Sequence, residues 1–260
     1  MDTIGHSGER RRGARVLGAF IDALDWDEVL DLIQRWARTH TSRSVCCCNA
    51  HSLVTMRQSS EVDAAIGSAD LSVPDGMPVA WMLRKLGFAS QPRLNGPDLM
   101  WRYCRLAERE GTTIFLYGNR DSVLEILRAR LQGAFPRLRV AGMIAPPYRP
   151  LTEAEDEEVV ARINDSGAGV VFVSLGCPKQ EMWMAQHRTR IHAVQIGVGA
   201  AFDYHAGTLK RAPLWMQRHG LEWLHRLCTE PRRLWRRYFY TNALFVLGAG
   251  KQLFGRRPAV

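Results

Sequence analysis

The apolar positions of this chain fall into short continuous runs separated by amphipathic stretches. Thr113–Tyr117, Leu138–Gly142, Val170–Leu175 and Ala193–Ile196 read as buried strands, with helices predicted over Ser122–Leu131, Thr152–Asn164 and residues 180–190. Upstream, Val16–Gly18 with Phe20 and Ile21 predicts a short edge strand. A helix follows over Asp27–Arg38, with Val29, Leu30, Leu32, Ile33 and Trp36 on its apolar side, then a strand at Ser44–Cys48. Further helices are predicted through Arg57, over 59–68, over Met77–Lys85 and through Glu110, with a strand at Ala69–Val73. Strands alternating with helices, joined by short glycine-containing exits, predict an α/β fold of Rossmann-like parallel-sheet lobes. The expected layout is a frayed tail over residues 1–15, an α/β core over 16–212 split into two lobes near 110, and an appendage over 213–260.

Charge changes the reading of that appendage. Residues 210–257 hold eleven basic side chains against two acidic ones, Glu222 and Glu230, and so carry the whole formal net charge of +9. Such asymmetry points to an anionic partner: lipid headgroups, a diphosphate or nucleic acid. From Pro231 a basic helix is predicted, with Arg232, Arg233, Arg236 and Arg237 on one face and Leu234, Trp235 and Tyr238 opposite, the pattern of an interfacial helix. The apolar run Tyr238–Gly250 is too short and too broken to span a bilayer. Cysteines at 46, 47, 48, 104, 177 and 228 form no C-x-x-C pair, and adjacent strand residues face opposite ways, so a reduced, cytoplasmic protein is expected. The polar start of the chain carries no apolar secretory core.

Candidate chemistry clusters where strands end. Val170–Leu175 empties into Gly176-Cys177-Pro178-Lys179-Gln180-Glu181, and the next strand into Gly197-Val198-Gly199, with Asp203 beyond. Glycine loops at the carboxyl edge of a parallel sheet are the setting of a nucleotide site, here placing Gln180, Gly197, Gly199 and Asp203 beside a ligand. The G-x-G is no dinucleotide fingerprint, because Phe202 stands where the third glycine belongs. Asn49 follows a strand and either caps the next helix or faces the site. Pro74-Asp75-Gly76 forms a turn with or without a function for Asp75. Arg93 is a solvated arginine or a phosphate clamp, and Asp98 a helix cap. Asp25-Trp26-Asp27 has the D-x-D form of a metal-diphosphate site, yet Asp25 as a helix cap explains it better, and no metal is expected.

Together Pro74-Asp75-Gly76, Arg93 with Gly96 and Asp98-Leu99, Gly176-x-Pro178-Lys179-Gln180-Glu181 and Ile196–Asp203 resemble a known set. With Arg211-Ala212-Pro213, Gly220–Trp223 and Glu230–Arg233, the chain is similar from Val16 to Tyr238 to a bacterial surface-polymer glycosyltransferase family. That family includes the teichoic-acid N-acetylmannosaminyltransferase and the enterobacterial-common-antigen mannosaminuronic acid transferase. The resemblance implies an inverting, metal-independent transfer, without cofactor, from a UDP-sugar to a polyprenyl-diphosphate-linked acceptor. It also implies peripheral attachment at the inner membrane face and leaves self-association open. It implies that Asp75 is the general base and that Asn49, Arg93 and Gln180 are pocket residues. It further implies that Arg226, Arg233 and Arg236 contact the diphosphate. Cys47 and His51 stand where the family usually has a threonine and an acidic residue, so the donor sugar, N-acetylmannosamine-type or glucose, stays open. The rival reading is a nucleotide- or nucleic-acid-binding protein gripping its ligand with the basic tail.

Overall fold

The chain's structure is a computed structural model that describes residues 2–4 and 10–255. Strands β1 (Asp2–Ile4), β2 (Arg10–Val16) and β3 (Ala19–Asp22) form a small antiparallel sheet in the order β1-β2-β3. Leu17 and Gly18 turn the β2–β3 hairpin at positive φ, 51° and 104°, which suits the twist of a two-residue connection. The tail expected over residues 1–15 therefore pairs into this sheet at Asp2–Ile4 and from Arg10 onward, while residues 1, 5–9 and 256–260 lie outside the described residues. Polarity misled the reading there. The Arg11 guanidinium donates to both oxygens of the buried Asp22, at 2.8 and 2.5 Å, and to the Ala69 carbonyl at 3.0 Å, so a basic strand is held against the core.

The body continues through α1 (Trp26–Arg38), β4 (Arg43–Cys48), α2 (Ala50–Met56), α3 (Ser60–Gly67), β5 (Leu71–Pro74), α4 (Met77–Lys85) and α5 (Gly96–Glu110). It closes with β6 (Thr113–Gly118), α6 (Asp121–Ala134), β7 (Arg139–Ile144), α7 (Glu153–Asp165), β8 (Val170–Ser174), α8 (Lys179–Gln186), β9 (Val194–Gly197) and α9 (Ala201–Ala206). The strands from β4 to β9 form one all-parallel sheet in the order β5-β4-β9-β8-β6-β7. β9 is the last of the described strands yet sits centrally between β4 and β8, so the sheet runs unbroken across the division expected near residue 110.

Strand alternation divides the core. Phe172 and Ile196 pack on one face with Ile33, Tyr103 and Phe202, whereas Val171 and Val173 pack on the other with Leu53, Met82 and Trp183. Each face is thus sealed by helices, the three-layer arrangement that continuous apolar strands require. Because every strand of this sheet is parallel, the exits of β4, β5, β6, β8 and β9 share one edge.

Three further helices, α10 (Leu214–Arg218), α11 (Glu222–Thr229) and α12 (Pro231–Phe254), follow. The far half of α12 lies along α2, buries Phe245 and Ala249, and is clipped to the hairpin by Gln252, which accepts from the Leu17 amide at 2.9 Å and donates to the Arg15 carbonyl at 2.6 Å. No described helix is long and apolar enough to cross a membrane.

Candidate active site

The strand exits and the near half of α12 enclose a cleft of about 380 Å³. Asp75 stands on its floor directly after β5, fixed by its own amide donating to the Cys48 carbonyl at 2.9 Å. Its Oδ2 accepts from Asn49 Nδ2 at 3.1 Å and its Oδ1 from the Gly96 amide at 3.2 Å. Burial pushes the carboxyl above the ordinary range, outweighing the downward pull of Arg93, the Asn49 bond and the Gly96 amide. Asn49 serves both readings at once: its Oδ1 accepts from the Ser52 amide at 3.1 Å, capping α2, while its amide steadies Asp75.

Gly96 allows this contact. A Cβ there would fall 2.8 Å from the Val198 carbonyl oxygen, because α5 begins pressed against the β9 exit. Gly96→Ala should destabilise the protein by about 1–3 kcal/mol in urea denaturation, through overpacking of two backbones that cannot part without moving Asp75's partner. The helix cap expected of Asp98 belongs instead to Asn95, whose Oδ1 accepts from the Asp98 amide at 3.0 Å. Asp98 is held by Arg211, at 2.5 and 3.1 Å, a pairing 113 residues apart that no local pattern announces.

On the opposite wall Gln180 is a brace. It is 4% exposed, its Oε1 accepts from the Gly199 amide at 3.1 Å, and its Nε2 donates to Glu181 at 3.0 Å. Gly197 leaves it room, since a Cβ there would sit 3.0 Å from Gln180 Nε2. Gly199 turns at φ 57°, and its carbonyl accepts from Ser174 Oγ at 2.6 Å. Asp203 accepts from Asn119 Nδ2 at 2.9 Å. Asn119, at φ 64°, and the buried Glu181, whose carboxyl burial pushes up, both line the cleft and were missed by the sequence reading. The Gly118-Asn119 exit after a strand was the available signal for the first.

The two substituted positions also face the cleft. Burial holds the Cys47 thiol far above its usual range, and burial, with Arg237 nearby, pulls His51 down to about 4. Both side chains are therefore neutral near pH 7. Asp25 caps α1, accepting from the Glu28 amide at 2.9 Å in a reciprocal capping box. Among the described residues no three His, Cys, Asp or Glu side chains converge at metal-ligand spacing.

The tail supplies the cleft's positive charge through Arg226, Arg233 and Arg237. Arg236, named for this role from the sequence, lies outside the lining and over the Trp235 ring at 5.3 Å. The four arginines do not act as one face. A helix turns by about 100° per residue, so Arg233 and Arg237, four apart, face the cleft while Arg232 and Arg236 turn away. Trp235 likewise leaves the buried side occupied by Leu234 and is 51% exposed. Arg93 lines the cleft with its guanidinium on Glu222 at 2.6 Å and the Gln217 carbonyl at 3.4 Å, just as Arg233 is paired with Glu230 at 2.6 Å.

A carboxylate poised on a strand end, facing guanidinium groups across a nucleotide-sized cleft, suits transfer of a group from a phosphate ester. The family model described as the Glycosyl transferase WecG/TagA/CpsF family matches residues 14–259, nearly the whole chain. The chain belongs to that family. It is accordingly a transferase, and the WecG/TagA/CpsF membership places it in surface-polysaccharide synthesis, with a nucleotide-sugar donor and a lipid-linked acceptor in general terms. Within this WecG/TagA/CpsF protein the matched region takes in both Asp75 and the arginine-bearing tail.

Proposed function

We propose that this enzyme moves a sugar from a UDP-sugar to a polyprenyl-diphosphate-linked saccharide, with inversion and without a metal. The observation that carries the reading is Asp75, held by Asn49 and Gly96 and opposed by Arg226, Arg233 and Arg237. Asp75 takes the proton of the acceptor hydroxyl as that oxygen bonds the anomeric carbon. The bond from that carbon to the diphosphate breaks, and UDP leaves with the electron pair. Guanidinium groups suit the charge that develops on the leaving oxygens, because their paired N–H groups match phosphate geometry. The donor side is the wall of Asn119, Gly197, Gly199 and Asp203. A screen of UDP-sugars, including UDP-N-acetylmannosamine and UDP-glucose, against a short-chain polyprenyl-diphosphate acceptor tests this. One donor should add one sugar mass to the acceptor, and silence from every UDP-sugar would oppose the reading.

Attachment to the inner face of the cell membrane fits the outward side of α12. Trp235, Phe239, Val246 and Leu247 stand 51 to 79% exposed along it, and Arg232 and Arg236 sit at its near end. Apolar side chains beside cations are what an anionic bilayer surface binds. Replacing Trp235, Phe239 and Val246 with serine should abolish co-sedimentation with phosphatidylglycerol vesicles while leaving Tm within a few degrees, since none of the three packs in the core.

A further inference from the structure

Arg93 lies beside Asp75, because the Leu94 amide donates to the Pro74 carbonyl at 2.9 Å and both side chains line the cleft, yet its two hydrogen bonds run to the tail. Its Nη2 donates to Glu222 Oε2 at 2.6 Å and its Nη1 to the Gln217 carbonyl at 3.4 Å. The other Glu222 oxygen takes Arg211 Nε at 3.3 Å, and Arg211 in turn is anchored by Asp98. A chain of alternating charges, Arg93, Glu222, Arg211 and Asp98, thus joins the cleft floor to α11 and to the first turn of α5, with side chains 13 to 37% exposed. Nothing in the transfer chemistry uses Glu222.

We propose that Glu222 is a positioning residue that keeps Arg93 off the catalytic carboxylate, so that Asp75 retains a lone pair for the acceptor proton. The inference rests on the reading of Asp75 as base. An arginine free to fork onto an aspartate occupies both oxygens and stabilises the charged form, which makes a poor base. Asp75's present partners are weaker: a neutral amide and a backbone N–H. Glu222 satisfies the guanidinium elsewhere, and it does so from the C-terminal helices, so seating α11 and freeing the base are one event.

The charges around Asp75 give the test its sign. Arg93 draws its carboxyl down and Glu222 pushes it up. Glu181 from α8 and the β4 thiols of Cys47 and Cys48 also sense Asp75. His51 of α2 and Arg226, Arg233 and Arg237 of the tail face the same cleft. Only Arg93 and Glu222 change in the variants.

In Glu222→Gln the negative charge is gone and Arg93 is released. The acid limb of kcat/KM should move to lower pH by about one unit, and turnover at pH 8 should fall about tenfold as the base weakens. In Arg93→Gln, where Glu222 keeps Arg211, the limb should move to higher pH. The double variant should regain part of the turnover lost in Glu222→Gln, because the competing guanidinium is absent. A purely structural role for Glu222 predicts lower Tm with an unmoved limb. An unmoved or raised limb in Glu222→Gln, or a double variant no faster than Glu222→Gln, overturns the proposal. Should Glu222→Gln fail to fold, Glu222→Asp, which keeps the charge but shortens the reach to Arg93, decides: a lowered limb supports the proposal, and an unmoved one overturns it. Asp75→Asn assayed alongside separates the two ideas, since lost turnover there with an unmoved Glu222→Gln limb removes the Glu222 role and leaves the base intact.

Discussion

Asp75→Asn should leave the protein folded, bind donor with near-wild-type affinity and lose about 10²–10⁴ of its turnover, the range a positioned general base supplies. The expectation of intact folding comes from the contacts. Asparagine is isosteric, its carbonyl can still accept from Asn49 or the Gly96 amide, and the backbone bond to the Cys48 carbonyl is untouched. Removing a carboxyl that burial already disfavours in its charged form also relieves the floor of the cleft, so Tm should hold or rise. The pH dependence has a fixed sign. An acid whose folded value is raised becomes a base only as pH rises through that value, so the acid limb of kcat/KM should lie above about 3.9, where an ordinary aspartate ionises. Initial rates against pH, with circular dichroism on the variant, check both parts.

Arg226, Arg233 and Arg237 replaced together by glutamine should cut turnover by at least about 10³, since removing even one group that stabilises developing charge can cost 10²–10³. The effect should fall on kcat as well as KM, because charge on the leaving diphosphate grows toward the transition state. Arg232 and Arg236 form the internal comparison: on the same helix, with the same charge, they lie outside the cleft lining, so their glutamine variants should keep turnover on a short, soluble acceptor. Loss of turnover in both sets alike would mean that net tail charge matters and not its placement.

Much of the fold was legible because its strands are continuous apolar runs. Val170–Ser174 and Val194–Gly197 lie within a residue or two of their expected bounds, and Met77–Lys85 matches at both ends. What failed was whatever depends on long-range partners. The stretch 10–15 looks like a frayed end until the buried Asp22 is placed opposite Arg11. Asp98 looks like a cap until Arg211 arrives from the far end of the chain. The strand exits pointed to Asn49, Gln180 and Asp203, and the family resemblance to Asp75; all four line one cleft, since a parallel sheet gathers those ends by construction. The tail register was harder. Four arginines within six positions suggested one face, whereas a helix docked through Leu234 presents Arg233 and Arg237 to the cleft and turns Arg236 out. Glu222 carried two signals, as part of the Gly220–Trp223 motif and as one of two acidic residues in a strongly basic stretch, which is where a specific ion pair is to be sought.

The proposed transfer is a single displacement at the anomeric carbon, driven by Asp75 with no covalent sugar–enzyme intermediate. The anomeric configuration of the product, read from the proton coupling of the transferred sugar by NMR, tests it most directly. Inversion relative to the UDP-sugar is the result expected from one attack by an activated hydroxyl on the face opposite the diphosphate. Retention would require a nucleophilic side chain and a second displacement, and would rule out Asp75 as the base of a single one.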